Sequence, residues 1–197
     1  MSAPALILAA GASSRFGAPK QVFEYLQSPL ILRAVQTVED AGLRPVVVVG
    51  AHREIVEALL SPSIDRVFNP RWSEGMASSI RRGVEYICRA SAPERVLICS
   101  CDQPEVSAAD LKQLYKKCAD GQIAAAAYDD IIGIPACFPA QRFSDLLELR
   151  GDRGARDLLR GDAFDVHKVA MPKAAFDIDR PEDLDLFPPR TPAERPA

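Results

Sequence analysis

Short apolar runs alternate with helical patterns through the first 120 residues of this 197-residue chain. Strand-like runs are predicted at 5–10, 44–50, 65–69 and 94–102, and helices at 29–42, 51–60, 76–90 and 107–121. Strands that are joined by helices pair in parallel, with the helices packed on the sheet. The alternation therefore predicts an α/β fold of three layers, Rossmann-like, with a mostly parallel central sheet and helices on both faces.

The remaining residues continue the pattern with less regular spacing. Further strands are predicted at 122–128, 132–138, 164–169 and 175–179, and helices near 140–149, 154–160 and 180–187. Pro135 interrupts one of these strands, which suits a sheet edge or a bulge. Since no linker-like segment divides the chain, we expect residues 1–187 to form a single domain. The proline-rich tail, 188–197, is expected to be disordered.

Charge and hydropathy exclude several classes of function. The net charge is −3, so there is no global attraction to nucleic acid or to an anionic membrane. No apolar run approaches the ~20 residues that span a bilayer, and the N-terminal run lacks the basic region of a signal peptide. We expect a cytoplasmic protein that binds neither nucleic acid nor membrane. Its five cysteines form no C-x-x-C pair, which favours buried thiols over zinc or disulfide sites.

A glycine-rich segment, LILAAGASSRFGAPKQ (6–21), runs out of the first predicted strand. Open parallel sheets bind ligands at the carboxyl ends of their strands. The spacing of Gly11, Gly17 and Lys20 matches neither the P-loop nor the dinucleotide fingerprint. Backbone N–H groups, two serine hydroxyls, Arg15 and Lys20 can nevertheless enclose phosphate. The residues alone also allow a tight turn that carries two solvated cations.

This segment resembles the L-A-A-G-x-S-x-R-x-G-x-x-K signature of the nucleotidyltransferases. Within them it is most similar to the MobA/MocA group, which transfers a nucleotide to molybdopterin. The resemblance implies that the loop wraps the triphosphate of an NTP, with Arg15 and Lys20 as catalytic residues that stabilise its charge. It implies nucleotide-binding positions at Ala9, Ala10, Gly11, Ala12, Ser13, Ser14, Arg15, Gly17 and Lys20.

Two aspartates are candidate metal ligands. Asp102 ends a predicted strand within CDQP, although a turn would also use an aspartate there. CDQP resembles the metal-binding motif of the family, which implies that Asp102 is a catalytic metal ligand. FDIDRPEDL is similar to the family's D-I-D-x-P-E-D-L, which implies Asp179 as the second carboxylate; helix capping is the alternative. Asp177, on the same face of the predicted strand, ranks lower. The expected ion is Mg²⁺, which binds carboxylates together with phosphates, with Mn²⁺ as a substitute.

A third segment, NPRWSEGMASSIRRGVE (69–85), places a glycine before a predicted helix. Free N–H groups at such a helix start favour polar ligands, although ordinary capping explains them as well. The G-M-x-x-S pattern resembles the group's second nucleotide-binding segment, which implies that Gly75 and Ser79 lie near base and ribose, with Met76 and Ser78 beside them. Trp72 either stacks on a base or pterin or is an ordinary core or surface aromatic.

Two shorter segments bear on the acceptor of the nucleotide. GDRGAR (151–156) is similar to the MocA-like G-D-x-G-A-R, and GIPACF (133–138) resembles a G-x-P segment. Ile134 stands where that segment often has a polar residue, which weakens the second likeness. A plain turn also explains the first. The acceptor-binding residues implied are Gly133, Pro135, Gly151, Asp152 and Arg156.

Taken together, these resemblances imply a Mg²⁺-dependent nucleotidyltransferase that moves CMP from CTP to molybdopterin and releases pyrophosphate. CTP is preferred to GTP because LAAG, rather than LAGG, resembles the cytidylyl branch. A molybdenum hydroxylase apoenzyme is the expected recipient of the product. Two alternatives stay open: a nucleotidyltransferase for sugar phosphates or other small phosphates, and a non-catalytic protein that binds nucleotide or molybdenum cofactor.

Overall fold

The computed structural model describes residues 2–119, 121–152, 154–160 and 164–184. The strands in this part of the chain are β1 (Pro4–Ala9), β2 (Glu24–Tyr25), β3 (Ser28–Pro29), β4 (Arg44–Val49), β5 (Asp65–Phe68), β6 (Arg95–Ser100), β7 (Ile123–Tyr128), β8 (Ile131–Pro139) and β9 (Val166–Ala170). The α-helices are α1 (Leu30–Asp40), α2 (Arg53–Leu59), α3 (Met76–Ala90), α4 (Ala108–Lys117), α5 (Phe143–Glu148) and α6 (Arg156–Arg160). Short 3₁₀ turns lie at Lys20–Val22, Trp72–Glu74, Ala140–Arg142, Pro172–Ala175 and Pro181–Leu184.

The central sheet has the strand order β5-β4-β1-β6-β8-β7-β9. Pairing is parallel from β5 through β4 and β1 to β6, and again between β7 and β9, whereas β8 runs antiparallel to both of its neighbours. This confirms the predicted mostly parallel sheet. The hairpin of β2 and β3 is separate from it.

Helices cover both faces of the sheet because the buried strands are apolar on both sides. Ile7 of β1 packs in the cluster that contains Ile31 of α1 and Leu111 of α4. Its neighbour Leu6 packs on the opposite face with Ile80 of α3. Successive side chains of a strand point to opposite faces, so one strand contributes side chains to both hydrophobic cores. The three-layer prediction is confirmed.

The prediction of a strand at 175–179 is wrong. Alternating apolar and acidic residues suggested one, but β9 already pairs with β7 at that edge of the sheet. Residues 176–179 are irregular and follow the turn Pro172–Ala175. The predicted helix 180–187 begins as the 3₁₀ turn Pro181–Leu184. The rest of that helix and the predicted disordered tail lie outside the described residues.

Pro135 lies at a bulge and not at a sheet edge. The pairing of β7 with β8 shifts between Ala125 and Ala126, and β8 absorbs two extra residues there. The peptide bond between Ile134 and Pro135 is cis. One of the two predicted explanations is therefore confirmed, and the other is wrong because β8 lies between β6 and β7. Across the described residues, no helix is both long and apolar enough to cross a membrane.

Candidate active site

A cleft of about 430 Å³ opens at the carboxyl ends of β1 and β6. Most of the residues predicted to bind nucleotide or metal line it. These residues are Ala9, Ala10, Gly11, Ala12, Ser13, Ser14, Arg15, Lys20, Gly75, Ser79, Asp102 and Asp179, and Asp152, predicted to bind the acceptor, lines the cleft with them. Trp72, Met76 and Gln21 line it as well. Segments that are up to 170 residues apart in sequence therefore meet at the sheet edge where an open parallel sheet binds its ligands.

The glycine-rich loop is folded around Ser13. This residue has a positive φ of 54°, and its carbonyl accepts hydrogen bonds from the backbone N–H groups of Phe16 and Gly17 at 2.9 and 3.1 Å. Its hydroxyl accepts a hydrogen bond from the backbone N–H of Lys20 at 3.3 Å. The two ends of the loop are thus joined, and Lys20 is brought back over the carboxyl end of β1.

Gln21 is a site residue that sequence reasoning missed. Its side chain is 1% exposed, and its Nε2 donates to the carbonyls of Ala9 at 3.3 Å and Gly11 at 2.7 Å. Its Oε1 accepts from the Ser13 hydroxyl at 3.3 Å. The amide fixes the path of the loop from beneath. The only signal in the sequence was a polar residue directly after the signature lysine, and its buried partners could not be read from it.

One ammonium group bridges the two predicted metal ligands. Lys20 Nζ lies 2.8 Å from Asp102 Oδ2 and 2.8 Å from Asp179 Oδ1, and it donates to the Ile178 carbonyl at 3.0 Å. Arg15 Nη1 lies 3.0 Å from Asp179 Oδ2. All three protons of the ammonium are therefore used, and the charges of the two carboxylates are balanced by two cations of the loop.

These contacts change the acidity of the groups. Burial alone would lower the pKa of Lys20, but the charges of and hydrogen bonds to Asp102 and Asp179 raise it above its ordinary value. The hydrogen bond from Lys20 lowers the pKa of Asp179, helped by the charges of Lys20 and Arg15. The ion pairs hold Lys20 as an ammonium and Asp179 as a carboxylate.

The segment that carries Asp179 is held by backbone bonds and one buried side chain. The N–H of Ile178 donates to the Asp102 carbonyl at 2.9 Å, and Ile178 is buried with Phe16, Tyr25 and Leu30. These contacts take the place of the sheet ladder that was predicted here. Asp177 is exposed and does not line the cleft. Partial desolvation and the two neighbouring aspartates raise its pKa.

The opposite wall of the cleft is formed at the start of α3. Gly75 has a φ of 114°, and a Cβ there would lie 2.1 Å from Asp152 Oδ1 and 2.7 Å from the Gly151 carbonyl. Only glycine fits both the conformation and the space. The N–H of Ala77 donates to that same Gly151 carbonyl at 3.1 Å. The G-D-x-G-A-R segment is therefore packed against the start of α3.

Two buried polar side chains that the sequence did not reveal hold this wall. Asn69 Nδ2 donates to the hydroxyls of Ser78 and Ser79 at 2.8 and 3.0 Å. Arg81 binds both oxygens of Glu74 at 2.7 and 2.8 Å and the Leu149 carbonyl at 2.5 Å. The hydrogen bond from Arg81 lowers the pKa of Glu74. Arg81 thereby joins the turn Trp72–Glu74 to the segment that leads to Asp152.

Several predicted residues do not line the cleft. Gly17 lies in the turn behind the loop, and Gly151 contributes its carbonyl to the start of α3. Gly133 is buried in β8, Pro135 lines a small cavity behind β6, and Arg156 is exposed at the start of α6. Of the five predicted acceptor residues, the structure brings Asp152 alone into the cleft.

The donor set suits a hard cation that is shared with a substrate. No group of three or more His, Cys, Asp or Glu side chains among the described residues could hold a metal ion by itself. Asp102 and Asp179 nevertheless converge on one point, since a single ammonium touches both. Mg²⁺ binds through one or two carboxylates and takes its other ligands from phosphates and water. Two convergent carboxylates beside the glycine-rich loop, whose N–H groups can bind phosphate, fit that requirement.

The chain belongs to the family of the MobA-like NTP transferase domain, whose model matches residues 5–169. The protein is thus a nucleotidyltransferase by family. It is 27% identical over 201 residues to the purine catabolism protein PucB of Bacillus subtilis, with 94% of this chain and 97% of PucB covered. It is also 31% identical over 118 residues to the bifunctional protein GlmU of Syntrophomonas wolfei, but that match spans 58% of this chain and only 25% of GlmU.

Solved structures share the whole fold. The Rv0371c protein of Mycobacterium tuberculosis in complex with manganese has a TM-score of 0.79 at 23% identity, with 94% of this chain and 97% of that one covered. A nucleotidyl transferase from Methanothermobacter, Mth528, has a TM-score of 0.77 at 26% identity, with 92% and 94% covered. These likenesses confirm the nucleotidyltransferase fold that the sequence predicted.

Proposed function

We propose that this protein transfers CMP from CTP to molybdopterin and releases pyrophosphate, in a reaction that depends on Mg²⁺ or Mn²⁺. One observation carries the proposal. A glycine-rich loop with Arg15 and Lys20 meets the carboxylates of Asp102 and Asp179 in a single cleft of about 430 Å³. The loop supplies donors for a triphosphate, and the aspartates supply ligands for the cation that a triphosphate carries.

In the proposed reaction, an oxygen of the acceptor phosphate attacks the α-phosphorus of CTP. A new bond forms from that oxygen to phosphorus, the bond to the β-phosphate breaks in line, and pyrophosphate leaves. An acceptor phosphate is already ionised near neutral pH, so the chain needs no strong general base. The protein then contributes mainly positioning and neutralisation of charge.

Arg15 and Lys20 have the central role in that neutralisation. In the structure they pair with the aspartates, and we propose that they exchange these carboxylates for phosphate oxygens when CTP enters. Lys20 then offsets the charge that develops on the departing pyrophosphate, and Arg15 offers a planar pair of donors. Asp102 and Asp179, released from Lys20, would hold Mg²⁺, which neutralises and orients the phosphates when it is bound.

The choice of CTP rests on the LAAG sequence at the end of β1 (residues 8–11), which resembles the cytidylyl branch. The choice of molybdopterin rests on the G-D-x-G-A-R likeness at 151–156. Packing of this segment on the start of α3 supports it, because Asp152 then faces the same cleft as the loop. A molybdenum hydroxylase apoenzyme is the proposed recipient of the dinucleotide.

The test is an assay of pyrophosphate release with Mg²⁺, each of the four NTPs, and either molybdopterin or a panel of sugar 1-phosphates. We expect turnover with CTP and molybdopterin and little with the other pairs. Turnover with a sugar phosphate alone would overturn the acceptor. Binding of nucleotide without turnover on any acceptor would favour a non-catalytic binding protein.

A further inference from the structure

Gln103, directly after Asp102, is buried and turned away from the cleft wall. Its side chain is 8% exposed, and it lines a small cavity behind the end of β6 and not the cleft. A buried amide must have its donors satisfied. Because Gln103 follows a proposed metal ligand, its hydrogen-bond partners show which segments are tied to that ligand.

Both amide protons of Gln103 are used on backbone carbonyls of other segments. Nε2 donates to the Ala174 carbonyl at 2.8 Å and to the Ile134 carbonyl at 3.1 Å. Ile134 belongs to the bulge of β8, and Ala174 lies five residues before Asp179. The orientation of the amide is fixed, since a flipped amide would set its oxygen against two carbonyl oxygens.

We infer that Gln103 is a positioning residue that sets the separation of Asp102 and Asp179. The inference rests on the proposed metal site. The segment 176–179 takes no part in the sheet. It is joined to the end of β6 by the Ile178–Asp102 backbone bond and, just upstream, by the Gln103–Ala174 bond. Gln103 thus holds one carboxylate segment against the other from the side opposite to the cleft.

The need for such a tie follows from the charges. While Lys20 bridges the two aspartates, their mutual repulsion is balanced. Once Lys20 moves to a triphosphate, two like charges face each other until a cation binds between them. A tie that does not depend on Lys20 keeps the pair at the spacing that a cation requires. Partners of this indirect kind commonly change metal affinity by about 10- to 100-fold when they are removed.

The test measures Mn²⁺ affinity by electron paramagnetic resonance in the presence of CTP, with no acceptor. Gln103→Met removes the amide at similar volume, and exposed Gln113→Met is the matched control. We expect Gln103→Met to weaken Mn²⁺ binding at least about tenfold, while metal-free CTP binding and the control stay within about twofold of wild type.

Unchanged Mn²⁺ affinity in Gln103→Met would overturn the positioning role. An equal fall in metal-free CTP binding would overturn it too, because the residue would then only support the fold. Gln103→Glu, which keeps the shape and turns a charged oxygen toward the two carbonyls, serves as the second variant if Gln103→Met does not fold, with the same result expected. Since no acceptor is used, failure of the CTP–molybdopterin reaction leaves this test intact.

Two buried polar atoms at the small cavity behind the end of β6 support a second inference, which concerns a buried water molecule. Within the described part of the chain, Gln103 Oε1 and Arg33 Nε are buried with no hydrogen-bond partner. Both residues line the cavity behind β6, whose volume is about 20 Å³, and a cavity of this size holds one water. We propose that this water accepts from Arg33 Nε and donates to Gln103 Oε1.

A crystal structure at about 1.5 Å resolution tests the water directly, since ordered waters bonded to buried polar groups are well defined. We expect one density peak within hydrogen-bond distance of both atoms in the wild type, and its loss or displacement in Gln103→Met. A dry cavity in the wild type would overturn the assignment.

Discussion

The two walls of the cleft are built on different physical principles. The wall that carries Arg15, Lys20, Asp102 and Asp179, called the phosphate wall below, is held by ion pairs between these cations and carboxylates. In the proposed function, the two cations also bind the triphosphate, and the two carboxylates also bind its metal ion. The opposite wall is held by close packing and by hydrogen bonds and an ion pair among its own residues, with Gly75 against Asp152, the hydroxyl of Ser79 on Asn69, and Arg81 on Glu74. Under the proposed function, the first wall exchanges partners when CTP binds, whereas the second wall needs no such exchange.

The largest effect is expected from Asp102→Asn on the phosphate wall. The variant keeps the shape and removes the charge that we propose holds the cation, so Mg²⁺-dependent pyrophosphate release should fall by about a thousandfold or more, as loss of several kcal/mol of electrostatic stabilisation implies. Steady-state assays with melting by circular dichroism measure it. Asp130→Asn, at an exposed turn, is the control. Near-normal turnover in Asp102→Asn would remove this residue from the metal site.

Lys20→Ala should come next. In the proposed reaction, loss of the ammonium leaves charge on the departing pyrophosphate unbalanced, so kcat should fall by about a hundredfold or more, a cost typical of removing one such group. Lys112→Ala, an exposed position on α4, controls for loss of a positive charge. Kinetics equal to wild type would show that the loop acts only as a turn.

Gly75→Ala tests the preformed wall. A methyl group would collide with Asp152 and force a strained φ, so we expect weaker CTP binding by about tenfold and a loss of stability of ~1–3 kcal/mol. Gly121→Ala is a matched control, because Gly121 also has a positive φ, 82°, but no atom lies within 4 Å of the position that its Cβ would take. A similar effect of both variants on CTP binding would mean that the wall at Gly75 has no specific role.

The smallest effect is expected from Gln21→Met beneath the loop. It removes three hydrogen bonds, each worth about 1 kcal/mol net, while it keeps a buried side chain of similar size. We expect KM for the nucleotide to rise by about threefold to fivefold with a smaller change in kcat, because the loop loses the hydrogen bonds that fix its path, whereas Arg15 and Lys20 keep their charges. A change in kcat alone would place Gln21 in the chemical step.

The sequence was most informative where residues that act together are also close in the chain. The loop from Ala9 to Lys20 and the strand that ends beside Asp102 were both predicted, since spacing and apolar runs are local signals. The strand at 175–179 was predicted wrongly because FDID alternates like a strand, although β9 already occupies that sheet edge. Alternation of apolar and polar residues within a segment does not show which of two segments pairs with the edge of the sheet.

The supporting residues were hidden for a related reason. Asn69, Arg81 and Gln103 are polar side chains whose burial depends on partners in other elements, up to 71 residues away for Gln103 and Ala174. Nothing in the neighbouring sequence shows that such a residue is buried. The prediction of acceptor-binding residues was limited for the same reason, and four of the five predicted residues do not line the cleft.

The exchange of partners on the phosphate wall is tested most directly by Mn²⁺ titrations of the wild type and Lys20→Met, each with and without CTP. Because Lys20 bridges both aspartates in the structure and is proposed to leave them for CTP, we expect CTP to tighten Mn²⁺ binding to the wild type at least about tenfold, within the usual range of coupling between two ligands. In Lys20→Met, Mn²⁺ should bind more tightly without CTP than it does to the wild type. Equal Mn²⁺ affinity of the wild type with and without CTP, together with no gain in Lys20→Met, would contradict the exchange.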